Sequence, residues 1–288
     1  MKNKNRNGRN KLKKKIRYLD MQLRKNYLQD TFGLIAIFGI ITLFLEKPIQ
    51  KIAGVIGLLL VLIIWYAIKW YAANNKKKIT LKINNSEIEI KFGDIFEQPD
   101  LKIIPFNEYF DTLVDNKIIS EKSLNGILIK KTNKDEIDAL IASDSRLKEN
   151  QTEYNNERKA GKNQKYNLGS LVNYRNEYVL TAFSKFDKNN CARLDMRDYI
   201  NTLLTFWDEI DAIYSGRSIS IPLFGSGMTR FKEFSDISDQ ELLELLIWSF
   251  KVSRINFTHS SKISIVLLPE KQDKINLYKL KEIFSNAL

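Results

Sequence analysis

The sequence predicts an N-terminal two-helix transmembrane hairpin followed by an α/β domain, with a mixed sheet that has helices on both faces. Two uncharged runs, residues 31–45 and 52–68, are separated by a short connection. From residue 79 onward, segments of alternating or continuous apolar residues, typical of strands, are interspersed with segments of helical spacing. The 288 residues suffice for one large or two small domains with a buried core.

Positive charge is concentrated at the amino terminus. Residues 1–25 hold 11 of the 46 Lys and Arg and a single acid, Asp20, so they carry +10 of the net charge of +12. Residues 79–288, with 29 basic and 31 acidic residues, are close to neutral. We therefore interpret residues 1–26 as a basic cytoplasmic arm and expect no nucleic-acid binding. One cysteine and one histidine exclude an intrachain disulfide framework and a Cys- or His-rich metal site.

Residues 27–78 are predicted to form the transmembrane hairpin. The uncharged runs of 15 and 17 residues give about 22–26 Å of helix, which flanking residues can extend toward the roughly 30 Å of bilayer hydrocarbon. The connection at 46–51 requires an antiparallel pair, and basic residues at both open ends indicate that both termini are cytoplasmic. We expect a two-pass protein of the inner or plasma membrane. A buried helical pair in a soluble core and a cleaved signal peptide are the alternative interpretations.

The spans carry almost no polar side chains. Thr42 is the clear one in the first span, and none precedes Lys69 in the second. This pattern disfavours a preformed hydrophilic pore or an ion-coupled transporter, which would place ionisable groups at depth.

Residues 79–288 are predicted to form one cytosolic domain. Its predicted elements are a strand hairpin at 79–92 around the turn Asn84-Asn85, a short apolar run at 101–106 stopped by Pro105 and Asn107, a helix around 120–131, a helix and mobile loop over 134–165, strands at 178–183, 218–223 and 263–268, and helices at 194–214, 238–256 and 275–284. Ser238 followed by Glu241 is a capping-box arrangement. The alternation of strands and helices predicts a mixed or mostly parallel sheet covered on both faces.

Two segments stand out because ligands bind at the carboxyl ends of strands in such sheets. Asp94 directly follows a predicted strand, and the loop at 221–231 runs from a buried strand through Gly225 and Gly227. Backbone N–H groups of a glycine loop can converge on an anion, so this loop suits a phosphate. Each segment alone is also typical of an ordinary turn. The loop lacks the P-loop and dinucleotide fingerprints, which disfavours ATP hydrolysis and hydride transfer.

Taken together, these segments resemble a macro domain, the ADP-ribose-binding α/β module, and most closely that of the transmembrane-macro effectors of Thoeris antiphage defence systems. The resemblance is carried by residues 93–96, by 104–112 with Asp115 and 118–120, and by 221–231. The N-terminal hairpin agrees with it, so the resemblance covers essentially the whole chain.

The resemblance implies a ligand site. Asp94 would hydrogen-bond an adenine amino group, residues 225–230 would wrap a diphosphate, and Asn107 would lie near the distal ribose. The expected ligand-binding residues are Asp94, Ile95, Asn107, Glu108, Asp111, Ser120, Phe224, Gly225, Ser226, Gly227, Met228, Thr229 and Arg230. No catalytic residue, metal or other cofactor is expected.

The resemblance also implies a biological role. The ligand would be an ADP-ribose-derived signal, with histidine as the expected conjugate, made from NAD by a TIR-domain enzyme. Binding would drive homo-oligomerisation, disruption of the lipid bilayer and abortive infection.

Hydrolytic macro domains carry a glycine-rich first loop after the Asn, whereas residues 108–112 contain no Gly-Gly pair. We therefore favour a sensor over an enzyme. Glu108, Asp111 and Asp115 are candidates for reading a cationic or amine-bearing end of the ligand, and solvated loop charges are the alternative. A membrane-anchored ADP-ribosyl hydrolase, with an acid such as Asp111 activating water, and a membrane-tethered scaffold without a small ligand remain the other hypotheses.

Overall fold

The computed structural model describes residues 16–44, 46–83, 86–227, 229–231, 237–253 and 262–285. The chain divides into two compact units, which we call the helical unit (Met1–Lys77 with Asn276–Leu288) and the sheet unit (Lys78–Ile275). The sequence prediction places residues 276–288 in the cytosolic domain, whereas the structure groups this segment with the N-terminal helices.

The helices are α1 Met21–Leu43, α2 Pro48–Asn74, α3 Leu124–Lys131, α4 Lys134–Ser143, α5 Ser145–Glu149, α6 Met196–Ile213, α7 Asp239–Ser253 and α8 Leu277–Ser285. The strands are β1 Lys78–Ile83, β2 Ser86–Phe92, β3 Leu101–Asn107, β4 Gln151–Tyr154, β5 Gln164–Tyr166, β6 Leu171–Tyr174, β7 Tyr178–Phe186, β8 Ala192–Leu194, β9 Ile219–Pro222, β10 Arg230–Phe231 and β11 Lys262–Leu267. Short 3₁₀ turns cover Ile95–Glu97 and Pro269–Lys271.

In the helical unit, α1 and α2 form an antiparallel pair. The Tyr27 hydroxyl donates to the Leu62 carbonyl at 2.9 Å, and Trp70 Nε1 donates to the carbonyl of Ile16, just before α1, at 2.8 Å. Going along α2 from Leu62 to Trp70, the contacted residue moves back along the chain from Tyr27 to Ile16, as in an antiparallel pair. Asp20 caps α1 by accepting from the Leu23 N–H at 3.0 Å.

Helix α8 belongs to the same unit. Asn26 Nδ2 of α1 donates to the Tyr278 hydroxyl of α8 at 2.8 Å. A small apolar cluster accompanies this contact, made of Ile16, Leu23, Tyr66 and Ala73 with Tyr27, Trp70 and Tyr278 packed against them.

Within the described residues, one helix is long and apolar enough to cross a membrane, namely α2, with a mean hydropathy of 2.4 over 18 residues, none of them buried. Helix α1 begins with charged residues, among them Arg24, Lys25 and Asp30, which leave the uncharged stretch 31–43, about 20 Å of helix. The two-pass hairpin, with α1 as its first span, therefore stays a prediction.

Within the residues that the structure describes, the sheet unit contains a nine-stranded sheet in the order β1-β2-β11-β9-β3-β7-β8-β10, with β6 also paired to β7. Strands β2, β11, β9, β3 and β7 run parallel, and β1 and β6 are antiparallel to their neighbours. Every residue of β9 is buried, which requires cover on both faces of the sheet. The predicted α/β domain with a mixed sheet is confirmed.

Three local predictions differ from the structure. Strand β3 is not stopped at Pro105 and continues to Asn107. Pro105 lies beyond Leu101 and Lys102, the two residues of β3 that pair with β9, so the N–H that proline lacks removes no hydrogen bond to β9. The mobile loop expected before residue 165 is wrong, since β4 and β5 form an antiparallel hairpin. The predicted helix around 120–131 begins only at Leu124.

Two other predictions concern turns and caps. The predicted turn Asn84-Asn85 lies outside the described residues. The capping box of α7 is confirmed, because the Ser238 hydroxyl accepts from the Glu241 N–H at 3.2 Å and the Ser238 N–H donates to Glu241 Oε2 at 2.8 Å.

Gly126, in the first turn of α3, has no room for a side chain. A Cβ there would lie 2.1 Å from the backbone carbonyl oxygen of Ser120. We expect Gly126→Ala to lower the free energy of unfolding by about 1–3 kcal/mol, measured by urea denaturation of the full-length protein in detergent. Gly227→Ala is the control, since no atom of the described residues lies within 4 Å of its added Cβ. Equal losses in both variants would contradict the steric explanation.

Candidate functional site

The carboxyl ends of the parallel strands meet at one edge of the sheet, which we call the carboxyl edge. Phe92 of β2 pairs with Leu267 of β11, and Val266 pairs with Pro222 of β9. The segments after β2, β9 and β3 therefore emerge side by side, where open α/β sheets bind ligands. Since β2 and β3 are three strand spacings apart, their ends are separated by roughly 14 Å, with the glycine loop after β9 between them.

The first of these segments holds Asp94 at the carboxyl edge. Asp94 is exposed, and its Oδ1 accepts from the Phe96 N–H at 2.9 Å, which caps the short turn Ile95–Glu97. Ile95 is buried in the core with Ile104 and Phe106. The turn therefore fixes the backbone through Ile95 and leaves the Asp94 carboxylate facing solvent.

The second segment, the glycine loop at 223–229, is anchored by aromatic packing. The buried ring of Phe224 stacks on Phe183 with centroids 4.4 Å apart, and its carbonyl accepts from the Tyr199 hydroxyl at 3.2 Å. Gly225 has φ +76°, and a Cβ there would lie 2.9 Å from the Phe231 ring, so glycine is required by both conformation and space.

Beyond Gly225 the loop becomes more open. The Ser226 hydroxyl donates to the Leu223 carbonyl at 2.7 Å, which closes the turn. In the described part of the chain no atom lies within 4 Å of a Cβ added at Gly227, so these residues leave space beside it. Thr229 is half-buried, and the backbone of Arg230 pairs with Arg193 in β8. The predicted site residue Met228 lies outside the described residues.

A buried lysine holds the glycine loop by a hydrogen bond to its backbone. Lys271 Nζ donates to the Ser226 carbonyl and to Asp239 Oδ1, the latter at 2.8 Å. Sequence reasoning missed Lys271. It lies in a turn just after β11, beside the polar residues Glu270 and Gln272, and nothing in this segment signals a partner 45 residues earlier.

The third segment follows β3 and is organised by Asn107. The buried Asn107 side chain accepts from the N–H groups of Tyr109 at 3.0 Å and Asp111 at 3.2 Å, and its Nδ2 donates to Asp111 Oδ2 at 2.9 Å. Phe110 adopts φ +48° with its ring buried. The amide of Asn107 thus holds the loop in a left-handed turn that brings Asp111 back to the end of β3.

Asp111 is fully buried and forms a bidentate ion pair with Arg158 of the β4–β5 connection. The Arg158 nitrogens lie 3.1 and 2.6 Å from Asp111 Oδ1 and Oδ2, and the Lys162 N–H donates to Oδ1 at 2.8 Å. The Arg158 guanidinium also lies 3.9 Å from the centroid of the Tyr109 ring. In this structure the cation that Asp111 binds is therefore Arg158, and its predicted role toward a ligand remains a prediction.

The remaining predicted acids differ in their surroundings. Glu108 is buried, its Oε1 accepts from the Phe186 N–H at 3.2 Å, and burial raises the pKa of its carboxyl above the ordinary 4.5. Asp115 accepts from the N–H groups of Ile118 and Lys117, and these bonds lower its pKa.

The hydroxyl of Ser120 accepts from the Lys122 N–H at 3.3 Å, while its carbonyl accepts from Ser123. Ser120 thereby shapes the turn that starts α3.

Sequence reasoning missed the residues of the β4–β5 connection, because the charged stretch 134–165 was interpreted as a helix followed by a mobile loop. The sequence holds no signal for this pair, because the burial of Asp111, which requires a cation or several N–H donors, is seen only in the structure. Among the described residues, no group of three or more His, Cys, Asp and Glu side chains is placed to hold a metal ion.

Comparison with known proteins identifies relatives of the chain. The family model for the macro domain of Thoeris protein ThsA matches residues 88–268. Thoeris protein ThsA of Bacillus amyloliquefaciens (strain Y2) is 43% identical over 240 residues, which cover 81% of this chain and 78% of that protein.

Solved structures were also compared. A point mutant of the Oceanobacillus iheyensis macrodomain gives a TM-score of 0.47 at 13% identity, over 73% of this chain and 94% of that chain. The same macrodomain with ADP gives 0.45 at 12% identity, over 73% and 97%.

The buried ion pair predicts a strong effect on stability. Arg158→Ala leaves the Asp111 carboxylate buried without its cation, so we expect the free energy of unfolding to fall by about 3–5 kcal/mol in urea denaturation. Lys159→Ala, at an exposed neighbouring position, should change it by less than about 0.5 kcal/mol. A loss for Arg158→Ala no larger than that of the control would contradict the assignment.

Glu108 predicts a pH dependence of stability. Because its pKa is raised by folding, the folded protein binds more protons than the unfolded chain above pH 4.5, and stability falls as pH rises through that window. Glu108→Gln keeps an acceptor for the Phe186 N–H and removes the ionisation. Its stability relative to wild type should therefore increase as pH rises from below 4.5 to neutrality.

The measurement is urea denaturation across that pH range, with the exposed Glu97→Gln as the matched control. A difference between Glu108→Gln and wild type that is constant with pH would contradict the prediction.

Proposed function

The chain belongs to the Thoeris ThsA family, and from this premise we propose that its sheet unit is a macro domain that binds an ADP-ribose-type nucleotide as a signal in antiphage defence. The observation that carries this proposal is the meeting of three segments at the carboxyl edge. They are the Asp94 turn after β2, the glycine loop after β9 and the Asn107 loop after β3.

The order of the three segments suits an elongated ligand with phosphates at its centre. Asp94 presents an exposed carboxylate at one end, which can accept from an adenine amino group. The loop around Gly227 lies between the ends, with space for a diphosphate beside its backbone. Asn107 and its loop lie roughly 14 Å from the Asp94 end, where the distal ribose would bind.

The other predicted site residues act around these three groups in this proposal. Ile95, Phe224 and Gly225 fix the backbone of the two flanking turns, and Ser226 and Thr229 are hydroxyl donors in the loop. Met228, Arg230, Glu108, Asp111 and Ser120 complete the proposed ligand-binding set.

The loop after β3 favours a sensor over a hydrolase. The hydrolase hypothesis needs an acid such as Asp111 to activate water, yet both carboxylate oxygens of Asp111 are held by Arg158 and the residue is fully buried. A carboxylate occupied in this way is a poor general base, because it must first give up its cation.

We further propose that the signal is an ADP-ribose conjugate, with histidine as the first candidate, supplied from NAD by a TIR-domain enzyme. This part follows from the resemblance to transmembrane-macro effectors.

The helical unit is proposed to act at the membrane. Helices α1 and α2 expose many large apolar side chains, including Phe32, Ile37, Ile40, Ile56, Leu60 and Ile64. An apolar surface of this extent is stable in a bilayer and costly in water. We propose a two-pass hairpin with both termini cytoplasmic. Ligand binding would favour an oligomer whose hairpins disrupt the membrane and cause abortive infection.

Binding to full-length protein in nanodiscs tests the sensor proposal. Isothermal titration with ADP-ribose and with its histidine conjugate should give saturable binding without ligand consumption. Asp94→Asn retains an oxygen for the Phe96 N–H but loses the charge, so we expect affinity to fall about tenfold to a hundredfold. Gly227→Glu should abolish binding by placing a negative charge where the diphosphate lies.

Two matched variants separate the site from general effects. Glu97→Gln removes an exposed acid three residues from Asp94 and should bind as wild type. Gly227→Gln adds the same bulk as Gly227→Glu without its charge and should lose less affinity. Absence of binding to any ADP-ribose derivative in the folded protein would leave the scaffold hypothesis, and chromatographic detection of hydrolysed product would favour the hydrolase.

A further inference from the structure

Lys271 joins three segments of the sheet unit through one ammonium group. Its side chain is buried, and Nζ donates to the Ser226 carbonyl and to Asp239 Oδ1, the latter at 2.8 Å. Ser226 lies in the glycine loop after β9, Asp239 begins α7, and Lys271 lies in the turn after β11. Removing a lysine charge from water is costly, so a buried lysine with two such acceptors indicates a specific role.

The backbone fixes the place from which the Lys271 side chain starts. The Lys271 N–H donates to the Leu268 carbonyl, and the Lys271 carbonyl accepts from the Lys274 N–H, both at 2.9 Å. Asp239, the partner in α7, is in the first helical turn, where the helix dipole stabilises a carboxylate. The ammonium is therefore held in one place, and from there it binds the glycine loop at the Ser226 carbonyl.

The bond from Lys271 orients the peptide plane between Ser226 and Gly227. The Ser226 N–H and hydroxyl both donate back to the Leu223 carbonyl, at 3.4 and 2.7 Å. Its carbonyl instead accepts from Lys271. Because the C=O and N–H of a trans peptide point to opposite sides, this bond turns the oxygen toward the buried ammonium and the Gly227 N–H away from it.

The glycine at position 227 makes this orientation important for an anion. Glycine adopts positive and negative φ with similar ease, so the peptide plane that precedes it can turn over at little steric cost. Gly227 is exposed, which places this plane at the surface of the loop. A reversed plane would present the Ser226 carbonyl oxygen to phosphates bound beside the loop, and the two negative groups would repel each other. A hydrogen bond from a charged donor opposes this reversal.

We propose that Lys271 is a positioning residue for the diphosphate of the ligand. It acts through the Ser226 carbonyl, which it keeps turned into the protein and away from the phosphates. The charge of Lys271 is offset by Asp239, so its role is to orient the backbone and not to attract anions in general. The inference rests on the proposed function, in which the sheet unit binds an ADP-ribose-type nucleotide with its diphosphate beside this loop.

The test compares the binding of three ligands to full-length variants in nanodiscs. Isothermal titration measures ADP-ribose and its histidine conjugate, and ligand-observed NMR measures adenosine, which has no phosphate. The double variant Lys271→Met, Asp239→Asn removes the ammonium without leaving a buried unpaired carboxylate. It should bind both ADP-ribose ligands about tenfold or more weaker than wild type, while its affinity for adenosine stays within about threefold.

Two control variants assign the loss to Lys271. Asp239→Asn alone retains the ammonium and its bond to Ser226, so it should weaken the ADP-ribose ligands by less than about threefold. Lys274→Met removes an exposed lysine close to Lys271 in sequence and should bind all three ligands as wild type. Urea denaturation verifies that each variant is folded.

The possible results separate the alternatives. Binding of the ADP-ribose ligands by the double variant as tight as that of wild type would overturn the inference. Equal losses for these ligands and for adenosine would indicate a general distortion of the site, and an equal loss in Asp239→Asn alone would assign the effect to Asp239, so either result also overturns it. A wild-type protein that binds neither ADP-ribose ligand would reject the proposed function itself, which is distinct from all of these results.

Discussion

The parallel register of β2, β11, β9 and β3 is the constraint on which the sheet unit depends. It gathers at one edge three segments that are far apart in sequence, the turn at Asp94, the glycine loop and the loop at Asn107. No side-chain contact among the three is needed to place them together. A one-residue slip of β2, whose residues alternate between buried and more exposed, would turn Ile88 and Ile90 out of the core, so burial of this strand also fixes the site.

A second constraint is the ion pair between Asp111 and Arg158. It connects the loop after β3 to the β4–β5 connection, and the Tyr166 N–H adds a backbone bond to the Glu108 carbonyl at 2.8 Å. A buried charge pair is costly to desolvate and tolerates little change in geometry. The segment predicted to be a mobile loop is therefore ordered by Asp111, which the sequence analysis identifies only as a candidate ligand-binding residue.

The predictable parts are those with a local pattern. Alternating apolar residues identify β1 and β2, and Ser238 with Glu241 identifies the start of α7. The Asp111–Arg158 pair spans 47 residues with no periodic signal, so it was not predictable. The carboxyl-terminal helix was found in sequence, but its amphipathic pattern does not say which surface it covers, and its grouping with α1 through Asn26 and Tyr278 was missed.

The grouping of α8 with α1 and α2 gives the chain the topology of a domain insertion. The backbone passes from the helical unit into the sheet unit at residues 77–78 and returns at 275–276. A unit joined by one linker can swivel freely about it, whereas a unit joined by two must move both junctions together. A single proteolytic cut at 77–78 would leave the sheet unit covalently joined to α8 alone, and a cut at 275–276 would leave it joined to α1 and α2 alone. After either cut, α8 and the first two helices would be held together only by non-covalent contacts such as the Asn26–Tyr278 hydrogen bond.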